Sequence, residues 1–255
     1  MNVCAIMATC GRHTLAERSL RFFLDQDYAG KHSLLIYNNS DIEQVLFRGD
    51  EILELAAKGK EVILINKPSG TVYSNLGQIY NDALTYIPED ADVIIFWDDD
   101  DIFLPNHIAE GVKGLERGKF QKLVAGACEA YKPAKSYYRH PGGIQLMSNT
   151  LEPSIFVAAW HIREHGFGNT TTDQHLQWVN PLVYEHKIFV DDNGPATLIY
   201  NWGDTDIPTF KTSGNAGHPN NFNNYRNFSQ DHGDRVLTPW PKEDVQKYYD
   251  LVYAK

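Results

Sequence analysis

Asp92-Val-Ile-Ile-Phe-Trp-Asp-Asp-Asp-Asp-Ile-Phe-Leu-Pro105 carries an unbroken apolar run straight into four consecutive aspartates, Asp98 to Asp101. The run Val93–Trp97 reads as a buried strand, and its end is a rigid, electronegative edge. Two carboxylates roughly 4 Å apart repel by about 4 kcal/mol at an effective dielectric of about 20, so a divalent cation is the natural counterion. Asp98 and Asp100 are therefore read as a D-x-D metal site that holds a diphosphate. Hard oxygen donors favour Mg²⁺ or Mn²⁺ over zinc. A solvated acidic turn is the plainer alternative. It leaves four carboxylates next to apolar Ile102, Phe103 and Leu104 with no counterion. An aspartate nucleophile of the phosphatase kind also uses D-x-D, but on a first strand and with Thr or Val two residues after the second Asp. Here the motif closes the fourth strand and Ile102 stands at that place.

Upstream of this edge, short apolar runs alternate with stretches of helical spacing. Val3–Ala8, Ser33–Tyr37, Glu61–Ile65 and Val93–Trp97 are predicted strands. Thr14–Asp25, Ile42–Ala57 and Ser74–Thr85 are predicted helices; Leu15, Leu20, Phe23 and Leu24 share one stripe, and Thr14 with Glu17 forms a capping box. A βα unit repeated every roughly 30 residues implies a parallel sheet with right-handed crossovers and a ligand at the carboxyl ends of the strands. Three of the four strands end in polar sequence: Thr9–Arg12, Asn38–Asp41 and Asp98–Asp101. After Pro105 a helix runs to about Gly118. Extended stretches follow near Leu123–Ala127, Lys135–Tyr138 and Gly143–Met147. The apolar run Ile155–Trp160 leads to a helix over Asp173–Val179, and Ile188–Val190 and Ala196–Trp202 are the last predicted strands. Gly203 to Asn227 reads as a long Gly/Asn-rich loop, and Lys242–Tyr253 as a helix with Val245, Tyr248, Tyr249 and Val252 on one face.

The length of 255 residues suits one large domain or a domain with an appendage. A formal charge of −10 argues against a broad phosphate-backbone footprint. Cys4, Cys10 and Cys128 lack metal-type spacing, so reduced thiols of a cytoplasmic protein are expected. The apolar stretch Val3–Met7 is too short for a signal or a membrane span, and no stable membrane insertion is expected. His161 and His165 are four apart but lack the glutamate beside the first histidine that zinc proteases use.

The block Val93–Pro105 resembles the D-x-D segment of family 2 glycosyltransferases, which have the GT-A fold. Tyr73-Ser-Asn-Leu-Gly-Gln-Ile-Tyr-Asn-Asp-Ala-Leu84 resembles the same family's Asn-x-Gly…Asn-x-Ala-Leu helix. Val3-Cys-Ala-Ile-Met-Ala-Thr-Cys-Gly-Arg12 is similar to its first strand and sugar-nucleotide loop. Together the matches cover roughly residues 3 to 180. The fold that the resemblance implies is α/β, a GT-A-like, Rossmann-related and mostly parallel sheet flanked by helices, with acceptor-side elements toward the C-terminus. It implies a single GT-A-like domain over 1–255. Within it, 1–104 form the nucleotide-sugar half, 105–202 the acceptor and catalytic half, and 203–255 the loop and C-terminal helix.

The implied activity is transfer of a hexose or pentose from a nucleotide diphosphate donor, with UDP the expected nucleotide, to an acceptor hydroxyl. By the same resemblance Thr9, Arg12 and Asp41 hold the base and ribose. Asp41 equally suits the N-cap of the next helix. Asn75 is expected to reach the nucleotide or its phosphates and Gly77 to allow close backbone approach, the alternative being capping by Ser74 and tight packing. Asp98 and Asp99 complete the donor contacts, and Asp98 and Asp100 carry Mn²⁺ or Mg²⁺. Gly166-Phe-Gly168 with Thr170-Thr-Thr-Asp-Gln-His-Leu176 resembles the family's Gly-Phe…Glu-Asp-x-x-Leu element, with Thr172 in place of its glutamate. Asp173 thereby inherits the role of general base in an inverting transfer, or else caps its helix. Asn201-Trp-Gly-Asp204 and Lys211-Thr-Ser-Gly214 resemble a later Trp-Gly…His-x-Ser-Gly pattern. That register puts Lys211 on the leaving diphosphate, with His218 the alternative in a shifted one.

Acceptors left open are a glycan, a glycolipid, a protein side chain, or a hydroxylated base in phage-type modified DNA. Lys132, Lys135, Arg139 and Arg163 give the acceptor half a modest basic cluster. A metal-dependent nucleotidyltransferase should carry a basic Gly-rich loop after the first strand, for which Ala8–Arg12 is a poor candidate. A non-catalytic nucleotide-sugar binder would bind without turnover.

Overall fold

The first strand, β1 (Val3–Thr9), is buried on both faces, and its pleat deals alternate residues to two cores. Val3, Ala5 and Met7 pack with Leu34, Ile36, Ile95 and Trp97 against Ala16, Leu20 and Phe23 of helix α1 (His13–Leu24). Cys4 and Ile6 pack with Leu35, Tyr37, Ile94 and Phe96 against Ile79 and Tyr80 of helix α2 (Leu76–Ala83). Strands β2 (His32–Asn38), β3 (Lys60–Asn66) and β4 (Val93–Phe96) complete this half. In this computed structural model the described residues are 1–10, 13–41, 43, 59–122, 124–140, 143–149, 151–169 and 175–201. The expected helix Ile42–Ala57, apart from Glu43, lies outside them, as do residues 203–227 and the expected helix Lys242–Tyr253.

Beyond β4 come β5 (Ile102–Phe103), helix α3 (His107–Arg117), β6 (Ala130–Pro133), β7 (Lys135–His140) and β8 (Gly143–Ser148). The chain continues through β9 (Phe156–Ala158), α4 (Ala159–His165), α5 (Leu176–Tyr184), β10 (Ile188–Asp191) and β11 (Leu198–Asn201). The larger, seven-stranded sheet has the order β10-β6-β9-β4-β1-β2-β3. Pairing is parallel from β3 through β2 and β1 to β4, and again between β6 and β10. It is antiparallel where β9 lies between β4 and β6. The sheet is thus mostly parallel and flanked by helices, as expected from the sequence. A second sheet of order β5-β11-β7-β8 stands beside it.

Helix α3 lies flush against the strands because two of its residues have no side chain. A Cβ on Gly111 would stand 2.0 Å from the Phe156 ring, and one on Gly114 would stand 2.4 Å from Tyr131. Buried Gln26 joins the end of α1 to the start of α3. Its amide donates to Phe22 O and Leu104 O, and its oxygen accepts from Ile108 N at 3.0 Å. His107, at the start of α3, is fully buried against Trp97, Phe103 and Phe156, and burial pushes its pKa down to about 3.

Several expectations are corrected. Thr14 sits inside α1 rather than ahead of it, since the helix begins at His13. Val124–Ala127 form a turn closed by Ala127 N donating to Val124 O, with Gly126 at φ +76°, and not a strand. The strand that follows is Ala130–Pro133, whose Pro and Lys hid it from a periodicity reading. Ile155–Trp160 divides into β9 and the start of α4, because apolar residues with no polar interruption suit a strand and a helix equally.

Candidate active site

Order 2-1-4 around β1 makes the gap between β1 and β4 the place where successive connections diverge to opposite sides, which is where open α/β sheets bind ligands. The acidic rim opens directly above it. Trp97 is its footing. Its backbone N–H donates to Ile6 O at 2.9 Å, its indole donates to Ser19 O at 3.0 Å, and its ring stacks on Phe103 at 3.8 Å. Residues Asp98 to Asp101 then turn the chain from β4 of the large sheet into β5 of the small one, which pairs with β11. This crossover explains why apolar Ile102 and Phe103 follow the carboxylates at once: they are core strand residues.

The four carboxylates are held differently. Asp98 is half-buried; Asp99, Asp100 and Asp101 are buried. Ser19 Oγ donates to Asp98 O at 3.1 Å, and the Tyr80 hydroxyl lies 3.4 Å from Asp98 Oδ1. Thr9 Oγ1 donates to Asp99 Oδ2 at 2.7 Å, with both residues buried. The two residues expected at the donor thus latch β1 to the rim through each other. Tyr200, on β11, faces the rim from the small sheet. Burial drives its phenol pKa far up, and the charges of Asp101, Asp98 and Asp100 push it further. A small cleft at the rim is lined by Asp98, Asp101, Tyr200, Phe96 and Phe103.

Removing the Thr9 hydroxyl should therefore show in stability. Thr9→Val is expected to cost about 1.5–3 kcal/mol, the range for a hydrogen bond to a charged group. Thr9→Ser should retain most of it, as read by urea unfolding of the three proteins side by side.

The other polar strand end meets this one. Thr9 is in register with Asn38, and Asn39 N donates to Thr9 O at 2.7 Å. Asp41 is an exposed carboxylate 2.9 Å from the ammonium of Lys67, whose side chain is only 9% exposed and also donates to Thr71 O. Lys67 had drawn no role in the sequence, since its pairing spans two strand ends. Asn75, not Ser74, is the N-cap of α2. Its Oδ1 accepts from Gln78 N and its Nδ2 donates to Asn169 O at 2.7 Å. Gly77 is buried in the first turn of that helix. Asn81 pairs twice with Phe167, donating to its carbonyl at 2.9 Å and accepting from its N–H at 2.8 Å. One helix thus holds the stretch of chain that enters the Asp173 segment. His175 follows that segment, packed among Phe96, Phe167, Trp178 and Tyr80, and burial pushes its pKa down to about 4. Arg12, Asp173, Lys211 and His218 lie outside the described residues.

Among the described residues no three His, Cys, Asp or Glu side chains assemble into a closed metal-binding group. A Mg²⁺ or Mn²⁺ ion carried by a diphosphate needs only one or two carboxylates, the rest of its shell being phosphate oxygens and water. Asp98 and Asp100 fit that smaller requirement by their chemistry. No helix among the described residues is long and apolar enough to cross a membrane.

No protein-family model matches the chain, and no curated protein does. Solved structures do match it. A crystal structure of S. aureus TarS 1–349 in complex with UDP aligns with TM-score 0.59 and 13% identity, over 79% of this chain and 60% of that one. The same fragment, without UDP in its description, aligns with TM-score 0.58. The mannosyltransferase PcManGT from Pyrobaculum calidifontis, in complex with GDP-Man and Mn²⁺, aligns with TM-score 0.53 and 13% identity, over 99% of this chain and 70% of that one. The fold is that of a GT-A-like glycosyltransferase. The chain spans 60% of the length of the TarS fragment. Among the rim's supports, Tyr80 and Asn81 fall inside the sequence block that carries the resemblance. Ser19 and Tyr200 do not, and nothing in their local sequence distinguishes them from core filling.

Proposed function

We propose that this chain is a family 2-like glycosyltransferase that moves a sugar from a nucleotide diphosphate donor, UDP-linked in the first instance, to an acceptor hydroxyl. The observation that carries the reading is the buried aspartate rim standing at the β1/β4 gap of a GT-A-like sheet. The UDP bound to TarS and the GDP-Man and Mn²⁺ bound to PcManGT support a nucleotide-sugar donor and a divalent ion. Residues 1–104 take the donor and residues 105–202 the acceptor. The site of action is the cytoplasm.

In this reading Asp98 and Asp100 orient the donor's diphosphate, and bound Mn²⁺ or Mg²⁺ supplies Lewis-acid stabilisation of the departing charge. Asp41, steadied by Lys67, accepts a hydrogen bond from the base or ribose. Arg12 and Lys211 offset negative charge on the nucleotide. Asp173 removes the acceptor hydroxyl's proton while the oxygen attacks the anomeric carbon from the face opposite the leaving diphosphate, inverting the centre.

The test is a thermal-shift panel of UDP- and GDP-sugars, with and without Mn²⁺, followed by a donor-hydrolysis assay that separates an enzyme from a binder. Asp173→Ala should keep the donor-dependent shift and lose transfer by roughly 10²–10⁴-fold, the range a positioned base contributes. Normal turnover by that variant removes Asp173 from the mechanism.

A further inference from the structure

We infer that Tyr80 is a positioning residue for Asp98: its hydroxyl sets the direction in which the rim's half-buried carboxylate presents its oxygens. The inference rests on the reading of Asp98 as a cation and donor ligand. Tyr80 lies on α2, which no part of the D-x-D segment touches in sequence. It is 2% exposed, and its hydroxyl stands 3.4 Å from Asp98 Oδ1. The ring cannot swing away. It stacks on Phe167 at 4.8 Å and 22°, meets Phe96 edge-on at 5.4 Å, and has His175 at 6.0 Å. Asn81, the next residue, fixes Phe167 through both of its backbone polar groups.

Chemistry adds a reason for a phenol at this place. A phenol, with an ordinary pKa of about 10, keeps its proton across the physiological range, and toward an ionised carboxylate, which only accepts, it acts as a donor. A donor on Oδ1 fixes rotation of the carboxylate about its Cβ–Cγ bond, at a residue whose backbone Ser19 already holds. Partners of this kind orient metal-binding groups and tune their affinity, and losing one typically weakens metal binding by about 10–100-fold. At 3.4 Å the contact is at the long end of the hydrogen-bond range.

The experiment titrates Mn²⁺ against the thermal stability of the full chain, at saturating UDP or GDP, whichever stabilises the wild type. Tyr80→Phe keeps the ring and its stacking and removes only the hydroxyl. It should raise the half-saturating Mn²⁺ concentration roughly tenfold while leaving the melting temperature without nucleotide nearly unchanged. Ile79→Val, which trims a buried side chain of the same helix, should lower the melting temperature and leave the Mn²⁺ midpoint in place. Equal midpoints for wild type and Tyr80→Phe overturn the inference while leaving the donor reading intact. An equal rise in Ile79→Val also overturns it, because the effect would then be general loosening of the helix. A wild type that shows no Mn²⁺-dependent shift with either nucleotide overturns both.

Discussion

Replacing Asp100 with alanine should abolish the Mn²⁺-dependent stabilisation by a nucleotide-sugar donor, and Asp98→Ala should do the same. A ligand at 100 times its dissociation constant stabilises a protein by about 2.7 kcal/mol. For a chain of this size that is roughly 5–10 °C in melting temperature, a signal whose loss is unambiguous. Transfer should fall with it, because the cation that these carboxylates would hold, and with it the compensation of the departing diphosphate's charge, is lost. Asp100→Asn provides the sharper comparison: it preserves shape and burial and removes only the charge. If Asp100→Asn and Asp98→Asn both keep a full donor-dependent shift, the rim is a structural turn, and the reading of the chain as a sugar transferase loses its foundation.

The second large effect is on stability. Trp97→Ala should cost about 3–5 kcal/mol, the range for truncating a large buried aromatic side chain. Trp97 is fully buried, stacked on Phe103, edge-on to Phe23, and bonded through its indole N–H to Ser19 O. Its removal leaves a cavity under the rim and leaves that carbonyl without its indole donor. Trp97→Phe should cost less, since it refills most of the volume and omits only the N–H. Urea unfolding followed by far-UV circular dichroism measures both. A Trp97→Ala variant as stable as the wild type would mean the rim does not depend on the core beneath it.

Three of the four strands of the first half were legible because both faces of each are buried. Within them Val3–Ala8, Leu34–Tyr37 and Val93–Phe96 are continuous apolar runs, and such runs in a βα repeat have one common explanation. The rim was legible for an electrostatic reason, four adjacent carboxylates being improbable without a counterion. Less visible was the second sheet. The two-residue strand Ile102–Phe103 is too short for any periodicity, and its partner β11 lies far along the chain. The same distance in sequence concealed the latch from Thr9 to Asp99, the approach of Tyr80 to Asp98 and the pairing of Lys67 with Asp41.

Sequence alone therefore determined the alternation of strands and helices and the edge on which carboxylates collect. These are local matters, set by which side chains are apolar and which are charged within a few residues of one another. Only the tertiary structure decided which carboxylate is half-open and which are buried, and which hydroxyls support them. Thr9 and Asp99 are ninety positions apart, and a side chain's hydrogen-bond partner is chosen by where the sheet's register brings it, which no short stretch of sequence encodes.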